Sequence, residues 1–196
     1  MVKRKTILLG LLSVVSLGIL GFVGWELYAR WRLRELLGEQ TMTILLGATR
    51  VEVFRVRPEG SVKSDDQEAS KTMIGGHRIT VSGGERDEEY ARRLTTVILD
   101  KQTYRFHVHN PVFGIISTCA FRPGVGFRVF KGQEAVEILL CFNCNEMRIL
   151  SKDAEGNVTH RAIGEFKPMR LVLLQLCKEG FPADSEIQEL RDVRGS

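Results

Sequence analysis

An uncharged, largely apolar run near the N-terminus constrains this chain more than any other feature. Residues 7–24 carry no ionisable side chain. As a helix they would be about 27 Å long, close to the hydrocarbon thickness of a bilayer. Basic residues precede the run and aromatic residues follow it, as at a membrane interface. The pattern predicts a transmembrane helix, with interfacial residues Lys3, Arg4, Lys5, Trp25, Tyr28 and Trp31.

A cleaved signal peptide is the main alternative to this anchor. Cleavage requires small residues at positions −3 and −1, and the best site, Leu27-Tyr28-Ala29, places a leucine at −3. The apolar run is also longer than the apolar core of a signal peptide, which has roughly 7–15 residues. A buried core helix is disfavoured because the run is apolar on every face. We therefore predict a membrane anchor over residues 1–37 and a domain over residues 38–196.

The charge distribution limits the kinds of partner that the chain is expected to bind. The net charge is +4, and residues 1–37 hold six basic and two acidic side chains, which leaves 22 of each sign in the domain. A neutral domain gives no reason to expect nucleic acid, which requires a basic face. The expected partners are the lipid bilayer and a protein. The basic flanks are nearly balanced, and the short basic N-terminal tail favours a single-pass protein with its domain on the extracytoplasmic side.

Residue patterns in the domain predict an α+β fold with a mainly antiparallel sheet of about five strands and packed helices. Strands are expected over residues 49–57, 77–82 and 104–109, followed by an antiparallel meander over residues 115–163. Apolar periodicity predicts helices over residues 30–46, 85–99 and 168–179. Ser185 and Gln188 have the spacing of a capping box and predict a short final helix.

The pair Cys141 and Cys144 is the first candidate for chemistry. Redox pairs with this spacing lie at the start of a helix, where the dipole lowers a thiol pKa. Here the pair ends a run that is typical of a strand. In an extended strand the two residues would be about 10 Å apart on opposite faces, too far for a disulfide.

Two other hypotheses also involve the remaining cysteines. Cys119, Cys141, Cys144 and Cys177 could bind zinc, although a structural site usually brings two close pairs and only one is present. If residues 115–130 pair with residues 134–149, opposite residue numbers sum to about 264, which places Cys119 beside Cys144 and permits a disulfide. A tight turn at Pro123 would prevent that bridge. Buried, reduced thiols remain the simplest interpretation.

Signals for an enzyme are otherwise weak. His107 and His109 would share one strand face and could chelate a metal, but no third ligand has a matching spacing. The chain contains no phosphate-binding glycine loop, nucleophile elbow or zinc-protease motif. No cofactor, resident metal or small-molecule ligand is indicated.

Three short segments carry a resemblance. The runs Cys119-Ala120-Phe121-Arg122-Pro123-Gly124, residues 137–144 and Gly180-Phe181-Pro182 resemble a group of uncharacterised bacterial exported or membrane-anchored proteins. Those proteins share a Cys-aromatic-Pro-Gly hairpin that leads into a Cys-Phe-x-Cys strand. The resemblance implies no activity. The sequence thus favours a non-catalytic binding or scaffolding module of the bacterial envelope, with a thiol redox or structural-zinc protein using Cys141 and Cys144 as the alternative.

Overall fold

The computed structural model describes residues 2–57, 73–104, 120–152 and 158–190, with side chains from Gly18 onward except at position 160. Helix α1 (Val2–Leu37) and helix α2 (Glu39–Leu46) lead into the sheet. The sequence predicted one helix through this region, but Gly38 interrupts it. Gly38 adopts a φ of 79° and a ψ of 151°, a non-helical conformation that favours glycine and that separates α1 from α2.

Seven antiparallel strands form one sheet, two more than the sequence predicted. The spatial order is β2-β3-β1-β4-β5-β6-β7. The strands are β1 (Arg50–Arg57), β2 (Met73–Ile74), β3 (His77–Arg86), β4 (Val125–Lys131), β5 (Glu134–Cys141), β6 (Glu146–Lys152) and β7 (Val158–Glu165). The antiparallel α+β architecture is confirmed. The strand predicted over residues 104–109 lies almost wholly outside the described residues.

The β4–β5 hairpin follows the predicted register closely. Val125 pairs with Leu140 and Lys131 pairs with Glu134. The numbers of paired residues therefore sum to 265, one more than the expected sum of about 264. The strand itself begins at Val125, directly after Pro123 and Gly124. Cys119 is outside the described residues, so its pairing with Cys144 stays a prediction.

Helices cover one face of the sheet. Helix α3 (Glu88–Ile98), helix α4 (Arg170–Gly180) and the short helix α5 (Ser185–Glu189) join α2 there, and 3₁₀ turns lie at Lys101–Thr103 and Lys167–Met169. Alternate strand residues such as Val53, Phe127 and Ile138 face these helices and are fully buried. This face carries the main core, since the helices pack on it.

The other face of the sheet is concave and carries a smaller core. Phe54, Val56, Ile74, Leu139 and Leu150 form it. The β2–β3 turn folds over this face, and a Cβ placed at Gly75 would lie 2.5 Å from Cδ1 of Leu139 and 2.7 Å from Cδ1 of Leu150. The turn at one edge of the sheet therefore touches β5 and β6 near the other edge.

The predicted membrane anchor is contradicted. Across the helices that the structure describes, none combines the length and the apolar character that a bilayer crossing requires. The described part of α1 also carries charge and joins the domain: Glu26 pairs with Lys101, and Ala29, Leu33 and Leu37 are buried. The single-pass membrane localisation, with its extracytoplasmic domain, is corrected on this finding.

The aromatic residues assigned to a membrane interface lie on the surface of α1. Trp25, Tyr28 and Trp31 are each about half exposed, and neighbouring rings are 6.0 and 6.1 Å apart. Their assignment to a membrane interface depended on the predicted anchor, which is contradicted. The side chains of Lys3, Arg4 and Lys5 lie outside the described part of the helix.

Candidate functional site

The outer edge of β3 forms one wall of the candidate site. β3 pairs with β1 along most of its length. On its other edge, the described residues supply only β2, which pairs at His77 and Arg78. Most β3 residues are exposed, and Val81 is 50% exposed. Beyond Arg78, this edge thus presents backbone hydrogen-bonding groups that no described strand uses.

The end of α4 and its connection to α5 form the opposite wall. Gly83 packs directly on this segment, because a Cβ there would lie 2.6 Å from the carbonyl oxygen of Gly180. Nη2 of Arg86 donates to the carbonyl oxygens of Gly83 and Gly180, both at 2.9 Å. Phe181 is buried beside them. These contacts hold the strand and the helix end at a fixed separation.

Between the two walls lies an open groove of about 800 Å³. Its lining comes from β1 (Arg55, Val56, Arg57), β3 (Thr80 to Gly83), Arg86, and the connecting segment with the first turn of α5 (Gly180 to Glu186). Arg55 and Val81 are register partners and point to the same side of the sheet. The groove combines apolar surface with charged groups, as ligand sites commonly do.

An ion-pair cluster organises the floor of the groove. Nε of Arg55 lies 3.1 Å from Oδ2 of Asp184, and its Nη2 contacts Glu186. Asp184 also caps α5, since its Oδ1 accepts a hydrogen bond from the backbone N–H of Ile187 at 3.0 Å. Arg55 thereby couples β1 to the start of α5.

Positive charge in the groove exceeds negative charge. Three arginines and two carboxylates line it, a net charge of +1. Arg55 is matched by Asp184 and Glu186, whereas Arg57 and Arg86 form no ion pair with any carboxylate in the described ranges. The Nε atom of Arg86 is buried and has no hydrogen-bond partner among those residues.

The lining residues offer no evident catalytic pair. Among the described residues that line the groove there is no histidine, cysteine or lysine. The hydroxyl of Ser82 accepts a hydrogen bond from the backbone N–H of Gly84 rather than facing a general base. The arrangement suits binding more than bond making, because a nucleophile requires an adjacent base.

A second, shallower pocket of about 480 Å³ adjoins the groove at Arg86. Arg93 and Glu179 form a two-pronged ion pair there, at 2.7 and 3.0 Å. The hydrogen bond from Arg93 lowers the pKa of the Glu179 carboxyl, and the same contact raises the pKa of Arg93. Both side chains are more than a third exposed, so the pair is a surface link between α3 and α4.

The concave face holds a buried charge cluster. Glu137 is 5% exposed and accepts from Arg128 at 3.1 Å, from Lys152 at 2.9 Å and from the backbone N–H of Gly75 at 2.9 Å. Arg128 also donates to the carbonyl oxygen of Met73 at 3.1 Å. These hydrogen bonds and ion pairs hold the β2–β3 turn against the sheet. The buried charges are therefore explained by their role in the fold.

The cysteines are dispersed rather than assembled. Cys141 ends β5 on the same face as Leu139, by strand alternation, whereas Cys177 lies in the core on the helix-covered face. Burial raises the pKa of the Cys177 thiol, which disfavours the reactive thiolate. The described residues contain no group of three or more metal-ligating side chains. Cys119, the fourth predicted zinc ligand, lies outside them.

The geometry expected for Cys141 and Cys144 is corrected. They do not lie in one extended strand, because residues 142–145 form the turn between β5 and β6. Asn145 has a φ of 56°, which the left-handed region of such a turn requires. Sγ of Cys144 lies 3.9 Å from the carbonyl oxygen of Cys141.

The histidines do not form a described metal site. His107 and His109 lie outside the described residues. His77 packs edge-on against Phe121 at 6.4 Å between ring centroids, and its Nδ1 is buried without a hydrogen-bond partner in the part of the chain that is described. Burial, with a smaller effect from Arg148, lowers the pKa of His77 and favours its neutral form.

Comparisons with protein-family models, with curated proteins and with solved structures find no significant match for this chain. The case for a function therefore rests on the groove. Sequence reasoning did not identify it, because its residues come from three separate segments. Of these segments, only Gly180-Phe181-Pro182 was singled out from the sequence, as part of a resemblance.

Proposed function

We propose that this chain is a non-catalytic binding module that holds a segment of a partner protein in the groove between β3 and the α4–α5 connection. The observation that carries the proposal is the outer edge of β3, which beyond Arg78 pairs with no described strand, together with the adjacent groove of about 800 Å³. A peptide that adds to such an edge gains backbone hydrogen bonds along its whole length.

The rigidity of the groove supports a binding role. Gly83 and Gly180 are in direct backbone contact, and Arg86 bridges their carbonyl oxygens. Arg55 ties the floor to the α5 cap through Asp184. A preformed site loses less conformational entropy on binding, which favours affinity.

The test is selection of random dodecapeptides on phage against the full chain. We expect binding peptides whose affinity falls about tenfold in Val81→Gln, because Val81 is the exposed apolar residue of the groove. Val158→Gln is the matched control, since Val158 is a similarly exposed valine on β7. Peptides that bind both variants equally, or a turnover that a single substitution abolishes, would contradict the proposal.

A further inference from the structure

We propose that the face of α1 that points away from the domain pairs with the same face of a second copy of this chain, in a parallel, two-fold symmetric dimer. This face, called the α1 seam below, is formed by Leu20, Gly24, Leu27 and Trp31. The inference is independent of the groove, because it concerns a different surface of the molecule.

The α1 seam has the spacing of a coiled-coil interface. Its residues recur at alternating steps of four and three, which is the d-a-d-a pattern of a heptad repeat. Leu20 is 68% exposed, Leu27 63% and Trp31 57%, so these side chains are available to a partner. Apart from the backbone of α1 itself, no described atom lies within 4 Å of a Cβ placed at Gly24, so a second helix has room to approach.

The opposite side of α1 holds the domain. Positions c and f of the same repeat include Glu26, Ala29 and Leu33. Glu26 pairs with Lys101, and Ala29 is buried together with Leu33. The domain of each copy therefore lies outside the helix pair. Because packing on the domain already supports the end of α1, dimerisation does not have to fold an isolated helix.

The exposed apolar area is sufficient for a small specific interface. Val23 and Tyr28 flank the seam and are each 46% exposed. Together with Leu20, Leu27 and Trp31 they make five large side chains, each of which offers on the order of 100 Å². Two copies would thus bury on the order of 1,000 Å², about the lower limit for a biological interface.

Charge complementarity sets the parallel orientation. Arg30 lies at a g position and Glu35 at the next e position, and both are exposed. In a parallel pair these positions face each other, so Arg30 of each copy meets Glu35 of the other. Glu35 holds Arg32 of its own helix at 2.6 Å, yet 54% of its side chain remains exposed. In an antiparallel pair g positions face g positions, so Arg30 would meet no carboxylate.

Sedimentation equilibrium of the full chain tests the dimer. We expect twice the chain mass of 22.1 kDa. Leu27→Gln should raise the dimer Kd at least about tenfold, because it places an amide on the seam. Phe22→Gln is the matched control, since Phe22 is 64% exposed on the same helix at an f position, away from the seam. Circular dichroism checks that both variants keep the fold.

A charge exchange tests the orientation. Arg30→Glu should weaken the dimer, because it places two carboxylates together, and the double variant Arg30→Glu with Glu35→Arg should restore it. Full affinity in Arg30→Glu, or no recovery in the double variant, would overturn the parallel pairing.

Three results would assign the seam to another occupant or to none, and each would overturn the dimer. The chain could remain monomeric at every concentration tested. It could remain monomeric and co-sediment with phosphatidylcholine vesicles, which would indicate a lipid surface. It could dimerise with equal weakening by Leu27→Gln and Phe22→Gln, which would place the interface elsewhere on the molecule.

Discussion

Arg55 and Asp184 pair across the floor of the groove, with 3.1 Å between Nε and Oδ2 and only 19% of each side chain exposed. This contact joins the middle of the sheet to the last described helix. Residues 129 positions apart thus define one site. The shape of the groove depends on the pair, because Asp184 also caps α5.

Arg55→Met should destabilise the fold by about 1–3 kcal/mol, since it leaves the half-buried Asp184 without its charged partner. Urea denaturation measures this as a lower midpoint with an unchanged slope. Arg92→Met is the matched control, because Arg92 pairs with Glu89 on the surface and should lose no more than about 0.5 kcal/mol. Equal effects of the two variants would contradict a structural role for Arg55.

Glu137→Gln should cost about 2–4 kcal/mol. The substitution removes the charge that compensates Arg128 and Lys152 in a site where the carboxylate is almost fully buried. The control is Glu134→Gln, at an exposed position of the same strand. A loss below about 0.5 kcal/mol on thermal or urea unfolding would show that the buried cluster does not hold the β2–β3 turn.

Gly83→Ala should destabilise the protein by about 1–3 kcal/mol, since the added methyl group meets the Gly180 carbonyl oxygen and the Phe181 ring. Gly24→Ala is the control. Apart from the backbone of α1 itself, no described atom lies within 4 Å of its new Cβ, so a helical alanine should stabilise α1 by up to about 1 kcal/mol. The two variants should therefore shift the unfolding midpoint in opposite directions.

The lowered pKa of His77 predicts a pH dependence of stability. The folded state favours the neutral imidazole, so as pH falls below about 6.5 the unfolded chain takes up the proton first. The free energy of unfolding is therefore highest above that pH, and it decreases as the pH falls towards the pKa of His77 in the folded state. His77→Gln should flatten the decline between pH 7 and pH 5 in urea titrations. An unchanged slope would contradict the burial of His77.

Thiol reactivity distinguishes structural from reactive cysteines. Cys177 is fully buried and its thiol pKa is raised, so it should be alkylated only after unfolding. Peptide mapping after brief iodoacetamide treatment at pH 8, applied to the folded and to the urea-unfolded protein, measures this difference. Rapid alkylation of Cys177 in the folded protein would contradict the burial of this thiol.

Local patterns predicted much of the fold. The β4–β5 hairpin and its register followed from two β-rich runs around Gly132, and α3 followed from its apolar periodicity. The last helix was also predicted, although its cap is Asp184 rather than Ser185. Such elements are specified by near neighbours, which sequence patterns report directly.

The groove could not be predicted in this way. It depends on Gly83 meeting Gly180 and on Arg55 meeting Asp184, and both contacts join distant segments. The four-residue turn after Cys141 was missed because the apolar run of β5 continues to that residue. The apolar N-terminal run illustrates a related limit: its length suggested a membrane span, whereas the end of α1 packs on the domain at Leu33 and Leu37.

Amide hydrogen exchange along β3 tests the central claim most directly. In the free protein, the outward-facing amides between Ile79 and Ser82 should exchange rapidly, because no described strand pairs with them. Addition of a groove-binding peptide should protect these amides and leave the exposed edge of β7 unchanged. Protection already present in the free protein, or no change on peptide binding, would contradict strand addition at this edge.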